Sequence, residues 1–276
     1  MATDSLAART GGARVEIPVR NIAHEDLNIS LRQGLDDFLA MRGDLLFVGL
    51  LYPLLGILAA VFTSRGALPF FLPIVAGVGL LGPVAAVGFY ELARRREDGL
   101  ESGWRHFLDV RKRPAVDDMG IVAGLLLVIF ALWLLAAGAL YIGFFGWDAF
   151  GWTAHNTIAG FLRDVFTTPA GWGLIASGVI VGAVFGWIVL AVSVVSLPLL
   201  VDCNLSAADA VSASWRAAHA NKALMIRWGL TVGGLLVLGS IPLFIGLAFV
   251  LPWLGYSTWH LYTRLVDREA IAQRCA

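Results

Sequence analysis

Charge is what this chain has least of. Only 14% of its 276 residues are Asp, Glu, Lys or Arg, where a soluble globular chain carries about 25%. Cysteine is nearly missing too: Cys203 and Cys275 are the only two. They form no CxxC and no Cys/His spacing suited to zinc. Histidine is scarce, at five residues, His24, His106, His155, His219 and His260. A haem held between two helices needs facing axial histidines. Only His260 lies in an apolar run long enough to supply one. No nucleophile–base pair, HExxH, P-loop or G-x-S-x-G occurs. Ser193 and Ser196 have no histidine near them in sequence and are expected to hydrogen-bond to backbone. These absences set the chemical expectations: no enzymatic activity, no catalytic residue, no cofactor and no metal site.

What fills the chain is hydrophobic residue, at 58%. A helix rises about 1.5 Å per residue, so about 20 apolar residues cross a hydrocarbon core of about 30 Å. Six runs qualify: Leu45–Phe62, Leu68–Leu92, Met119–Phe145, Trp172–Val201, Ala223–Gly239 and Ile241–Tyr262. The fourth contains no ionisable side chain. The fifth has Arg227 in its first turns. No cleavable signal peptide is expected, since the first forty residues are polar and charged. The first membrane helix then acts as its own insertion signal.

With six crossings, the loops alternate sides. All but two of the 20 Lys and Arg then share one side with both termini, the exceptions being Arg65 and Arg163. Short basic loops stay cytoplasmic. The expected location is therefore a bacterial inner (plasma) membrane, multi-pass, with cytoplasmic N- and C-termini. On that side no disulfide is expected between the cysteines. The runs Arg94-Arg95-Arg96 and Arg111-Lys112-Arg113 are interleaved with Glu97, Asp98, Glu101 and Asp109. That mixture favours anionic lipid headgroups over nucleic acid.

One spacing recurs three times. Leu31, Gly34, Leu35, Phe38 and Arg42 align with Leu100, Gly103, Trp104, Phe107 and Arg111. They align again with Val211, Ser214, Trp215, Ala218 and Lys222. Apolar positions at i, i+3, i+4 and i+7 make one stripe of an amphipathic helix. The fold class expected is all-α and polytopic: six transmembrane helices as three hairpins, each preceded by a short amphipathic interfacial helix. The domain division is a flexible cytoplasmic tail at 1–26, one membrane domain at 27–266 and a C-terminal tail at 267–276. The repeats within the membrane domain span about 27–92, 96–201 and 206–262.

Glu91 precedes the second copy by nine residues, and Asp202 precedes the third by nine. Ionisable groups at membrane depth are suspects for function. Glu91, Asp202 and His260 form a candidate polar site for a cation or a proton relay. The alternative is that each is hydrated or paired with the nearby arginines. Gly178, Gly182 and Gly186 make a double GxxxG, the mark of close helix packing; Gly120 with Gly124 and Gly229 with Gly233 make single ones. Pro53, Pro83, Pro198 and Pro252 stand within apolar runs and are expected to kink them. In the outer loop 146–171, Ile158, Phe161, Leu162, Val165 and Phe166 form a further stripe. Asn156 is placed to cap it and Pro169 to stop it. This helix is expected either on the outer membrane surface or against a partner.

The stretches "SVVSLPLLVDCNLSAADAVSASWRAAHANKALMIRWG", "GLAFVLPWLGYSTWHLYTRLV" and "VRNIAHEDLNISLRQGLDDF" resemble a bacterial family of predicted integral membrane proteins of unknown function. Some members are labelled as a cytochrome c oxidase subunit. The unit "LPLLVD…AADAVSASW…N" is also similar, more loosely, to membrane domains found with glycerophosphodiester phosphodiesterases. The resemblance implies a shared hairpin unit rather than a shared activity. Three roles stay open. The first is a non-enzymatic accessory or scaffold for a membrane complex or for envelope upkeep. The second is a transporter or channel for a small solute or lipid. The third is a respiratory-chain, cytochrome oxidase-associated subunit without its own redox centre. The partners expected are membrane lipids and another membrane protein or a second copy of the chain, with no nucleic acid.

Overall fold

The computed structural model of the protein describes residues 17–63, 82–146, 158–242 and 245–272. Apart from one antiparallel β-bridge between Val19 and Val266, the regular elements among the described residues are helical. In chain order they are α1 (His24–Thr63), α2 (Gly82–Glu97), a 3-10 helix (Trp104–Lys112), α3 (Val116–Phe145) and α4 (Ile158–Thr167). They continue with α5 (Pro169–Ser193), α6 (Ser196–Asp202), α7 (Ala207–Ala220), α8 (Lys222–Ser240), α9 (Leu247–Leu265) and a 3-10 turn (Glu269–Ile271). Among the described residues, three stretches are long and apolar enough to cross a membrane: Val116–Phe145, Pro169–Asp202 and Lys222–Ser240. The run expected at Leu68–Leu92 lies outside the described residues up to 81.

The three copies of the repeat take three forms. The first is the front half of α1, which continues unbroken into the apolar run behind it. Gly43 is the one weak helix former between Arg42 and Leu45, at a cost of about 1 kcal/mol. The second is a 3-10 helix, stopped where Arg113 turns extended ahead of Pro114. The third is α7, capped by Ser206, whose hydroxyl accepts the Asp209 N–H at 3.2 Å.

Each copy docks on a membrane-side helix. Phe107 of the second fits over Gly88 of α2, where a Cβ would strike its ring, and meets Phe89 edge-on at 5.0 Å. Ser214 of the third accepts the Val195 N–H at 3.1 Å, at the junction of α5 and α6. The first copy packs on the last helix. Its residues run antiparallel to α9: Asp26 pairs with Arg264 at 2.8 Å, Gly34 abuts Ser257, and Phe38 meets Phe249 at 5.0 Å. Copy one on α9 closes the series that copies two and three continue.

The best-packed core lies where these dockings meet, among Tyr90, Leu197, Ala213, Tyr256, Trp259 and Tyr262, all buried. Farther along α3, α5 and α8, side chains such as Leu132, Val179 and Leu230 face outward, as lipid contact requires.

The break between α5 and α6 falls at Val194–Val195, four residues before Pro198. Proline has no N–H to give the Val194 carbonyl. The Val195 N–H is taken up by Ser214, and Ser193 and Ser196 bond back to the Val189 and Val192 carbonyls at 2.7 and 2.5 Å. The serines thus bond to backbone, as expected. Pro53 and Pro252 sit inside helices that run through them, and Pro83 stands in the first turn of α2, where its missing N–H costs nothing. Helix α4 forms over the outer-loop stripe, with Val165 buried and Leu162 and Phe166 exposed. Thr168 caps the next helix with Pro169 at its first position. Asn156, proposed as the cap of α4, lies outside the described residues.

Two expectations need correction. The free tail does not extend to residue 26. Ile17 is 1% exposed, and Asn221 holds the segment by accepting the Ile22 N–H at 2.9 Å and donating to the Arg20 carbonyl at 3.2 Å. Arg20 N–H donates to the Leu265 carbonyl at 2.8 Å, and its guanidinium meets Asp267 at 2.8 Å. The C-terminal tail is likewise packed through Ile271. The second correction is Cys203, which is disulfide-bonded. It is buried beside Asp202, where Arg268 draws the C-terminal segment onto α6. Cys275 lies outside the described residues.

A prediction follows from the α1–α9 contact. Gly34→Val puts carbon into the Ser257 backbone and is expected to cost about 1–3 kcal/mol of stability, read by thermal unfolding in detergent. Gly120→Ala meets open space and should leave the midpoint unchanged or slightly raised.

Candidate functional site

Glu91 lies in the last two turns of α2 and is 2% exposed. Burying a carboxylate without counter-charge costs several kcal/mol, and three arginines answer it. Arg94, one turn on, donates to both oxygens, at 2.9 and 3.2 Å. Arg113 donates from Nε at 3.1 Å, and Arg95 stands at 4.0 Å. Arg94 also reaches Asp98 at 2.6 Å, and Arg95 reaches Asp109 at 3.6 Å. Burial by itself would lower the Arg94 pKa. The hydrogen bond and charge of Glu91, with Asp98 and Asp202, outweigh it and raise it.

Asp202 ends α6 and is also buried. Tyr262 of α9 donates its hydroxyl to Oδ2 at 2.7 Å. Arg268 grips both oxygens, at 2.8 and 3.2 Å, and reaches Glu97 at 2.5 Å. The Trp259 indole donates to Glu97 at 3.0 Å, and the Arg268 guanidinium lies 5.7 Å from that ring. Burial opposes the charge of Arg268, but Asp202 and Glu97 more than compensate and raise its pKa. At the surface, a hydrogen bond from Lys112 holds the Asp109 carboxyl below its ordinary range, and Arg20 does the same for Asp267.

His260 is in another place. A helix turns about 100° per residue, so His260 points away from the face of Trp259 and toward α1. There its Nε2 lies 2.8 Å from Asp37, which also takes Arg96 Nε at 3.1 Å. The structure thus places Glu91 with Arg94, Arg95 and Arg113, Asp202 with Tyr262 and Arg268, and His260 with Asp37. Of the double GxxxG, Gly182 lies against the edge of Trp133, at 3.5 Å from where a Cβ would sit. Gly178 and Gly186 meet nothing within 4 Å.

Not among the expected site residues were Arg94, Arg113, Tyr262 and Arg268, which answer the two acids, and Glu97 and Asp37, which pair with Arg268 and His260. Part of the signal was readable. Arg94 and Arg95 follow Glu91 at i+3 and i+4, the spacing that pairs charges on a helix. Arg113 and Arg268 come from other segments and left no such trace. Among the described residues, no group of three or more His, Cys, Asp or Glu is placed to hold a metal ion.

Residues 71–202 match a family model described as predicted integral membrane protein (DUF2189). This match agrees with the resemblance read in the sequence. The matched segment carries Glu91, the second repeat copy, α3, α5 and Asp202. No curated protein matches, and no solved structure matches. The chain is an integral membrane protein with helices able to span a bilayer.

The network is expected to matter for folding. Glu91→Gln removes the carboxylate shared by Arg94, Arg95 and Arg113 and should cost about 3 kcal/mol in thermal unfolding. Glu101→Gln removes a largely exposed pair with Arg105 and should give no measurable change.

Proposed function

We propose that the protein is a non-enzymatic accessory or scaffold protein of the bacterial inner membrane, serving a larger membrane complex or envelope upkeep. One observation carries this reading: the oxygens of Glu91 and Asp202 are committed to arginine and tyrosine donors inside the chain. A cation or proton site needs acceptors free to change partners, and these two acids hold theirs in multiple ion pairs.

The topology that goes with it has six spans as three hairpins, with both termini cytoplasmic and interfacial segments on that face. Two features support it. The pairing of Val19 with Val266 puts both ends of the described chain together, which requires an even number of crossings. Helices α3 and α5 run antiparallel, with Trp133 beside Phe185 and Phe144 beside Gly173. Reporter fusions after Arg113 and Lys222 should read inside, and those after Arg65 and Arg163 outside. The opposite result at any of them breaks the six-span arrangement.

A second reading, transport of a small solute or lipid, is favoured by one feature: the spanning stretch Pro169–Asp202 is broken at Val194–Val195. Broken helices line substrate sites in transporters. Here the freed N–H already has Ser214 as its acceptor, among buried apolar side chains. The deciding experiment is purification of the full chain in mild detergent. A stoichiometric membrane protein partner, with no solute flux in reconstituted vesicles, supports the scaffold. Flux from the chain alone overturns it.

A further inference from the structure

We propose that two places on this protein, Trp104 with Arg111 and Trp215 with Lys222, bind the headgroups of anionic phospholipid. The inference requires only that the chain is an integral membrane protein and does not depend on a scaffold role.

The basic runs look like one broad cationic surface in sequence, but most of that charge is spent inside. Arg94 and Arg113 are bound to Glu91, Arg95 stands between Glu91 and Asp109, and Arg96 is bound to Asp37. Arg111 and Lys222 are different. Both are exposed and have no carboxylate partner among the described residues. They hold the same position in the second and third copies of the repeat.

Seven residues before each stands a tryptophan, again at the same position, 50% exposed at Trp104 and 44% at Trp215. Leu108, beside Trp104, is exposed as well. Trp215 stacks on His219 at 4.5 Å, and Trp187 of α5 meets that ring edge-on at 5.8 Å. The aromatic platform is thus anchored to a membrane-spanning stretch. An exposed indole and an exposed cation seven residues on, in a segment that leads directly into an outward-facing apolar helix, favour a phosphate headgroup over bulk water.

Continuity with the lipid-facing surface fixes the occupant. The 3-10 helix ends at Lys112, four residues before α3, whose Ile121 and Leu125 face outward. Lys222 is the first residue of α8, whose Ile226 and Leu230 face outward. A phospholipid phosphate at Arg111 or Lys222 leaves its acyl chains beside those apolar side chains. A soluble anion would gain the charge and nothing else. The first copy makes the contrast. It has Leu35 at the tryptophan position, half-buried on the α1 face that packs against α9, so two sites are expected rather than three.

The test uses the full chain, delipidated in detergent and titrated with dioleoyl phosphatidylglycerol or dioleoyl phosphatidylcholine under native mass spectrometry. The expected result is two tightly held phosphatidylglycerol molecules per chain and weaker phosphatidylcholine. Arg111→Gln and Lys222→Gln should each weaken one of the two by about fivefold, while Arg163→Gln changes neither. Binding to the unaltered chain should also fall as salt rises, a readout that needs no variant. Inorganic phosphate at equal concentration should not displace the lipid. Equal retention of the two lipids, indifference to salt, displacement by phosphate, or a double variant that behaves like Arg163→Gln would each overturn the assignment.

Discussion

The packed end of this protein depends on the arginines that meet the buried carboxylate of Glu91. A carboxylate at 2% exposure is tolerated only with cations in hydrogen-bond geometry. Arg94 comes from the same helix, but Arg113 comes from beyond the 3-10 helix, so the pairing draws that segment against α2. Asp202 does the same work one repeat later. Its partners are Tyr262 of α9 and Arg268 of the C-terminal segment, and Arg268 carries Glu97 of α2 into the network. Two acids therefore tie α2, α6, α9 and the chain's end into one body.

The repeat explains why the ties fall where they do. Each copy lays a small or flat contact on a helix: Gly34 on Ser257, Phe107 on Gly88, the Ser214 hydroxyl on the Val195 N–H. Close approach of backbones is what small residues supply where lipid gives no hydrophobic drive. The first copy docks on α9, and the series closes on itself. That closure also brings the chain ends together, where Val19 and Val266 pair and Asn221 holds the incoming segment. Helix α9 is consequently buried along much of its length, Ser257, Trp259 and Tyr262 included.

Much of this was legible in the sequence. The spans over α3, α5–α6 and α8 follow from apolar length, and the stripe Ile158–Phe166 marked α4. The matched acids Glu91 and Asp202 stood out at nine residues before their repeats. What did not show was partner choice. Nothing near Asp202 pointed to Arg268, 66 residues away, or near His260 to Asp37, 223 residues away. Such pairs depend on which helix faces which, and periodicity only tells which face is apolar. The disulfide at Cys203 was missed for the same reason: a compartment argument took the place of the packing. The packing of residues 17–22 does not show in the sequence because Gly11, Gly12 and Pro18 read as loop, while the Ile17 carbonyl accepts from Arg216, 199 positions later.

The central claim is that these charges are structural ties. A double-mutant cycle on Asp202 and Arg268 tests it most directly, with Asp202→Asn, Arg268→Gln and the double variant compared by reversible unfolding of the full chain in detergent. The account predicts a coupling of about 2–3 kcal/mol, with the double variant less damaged than the two single losses added together. A coupling near zero in variants that remain folded would contradict it.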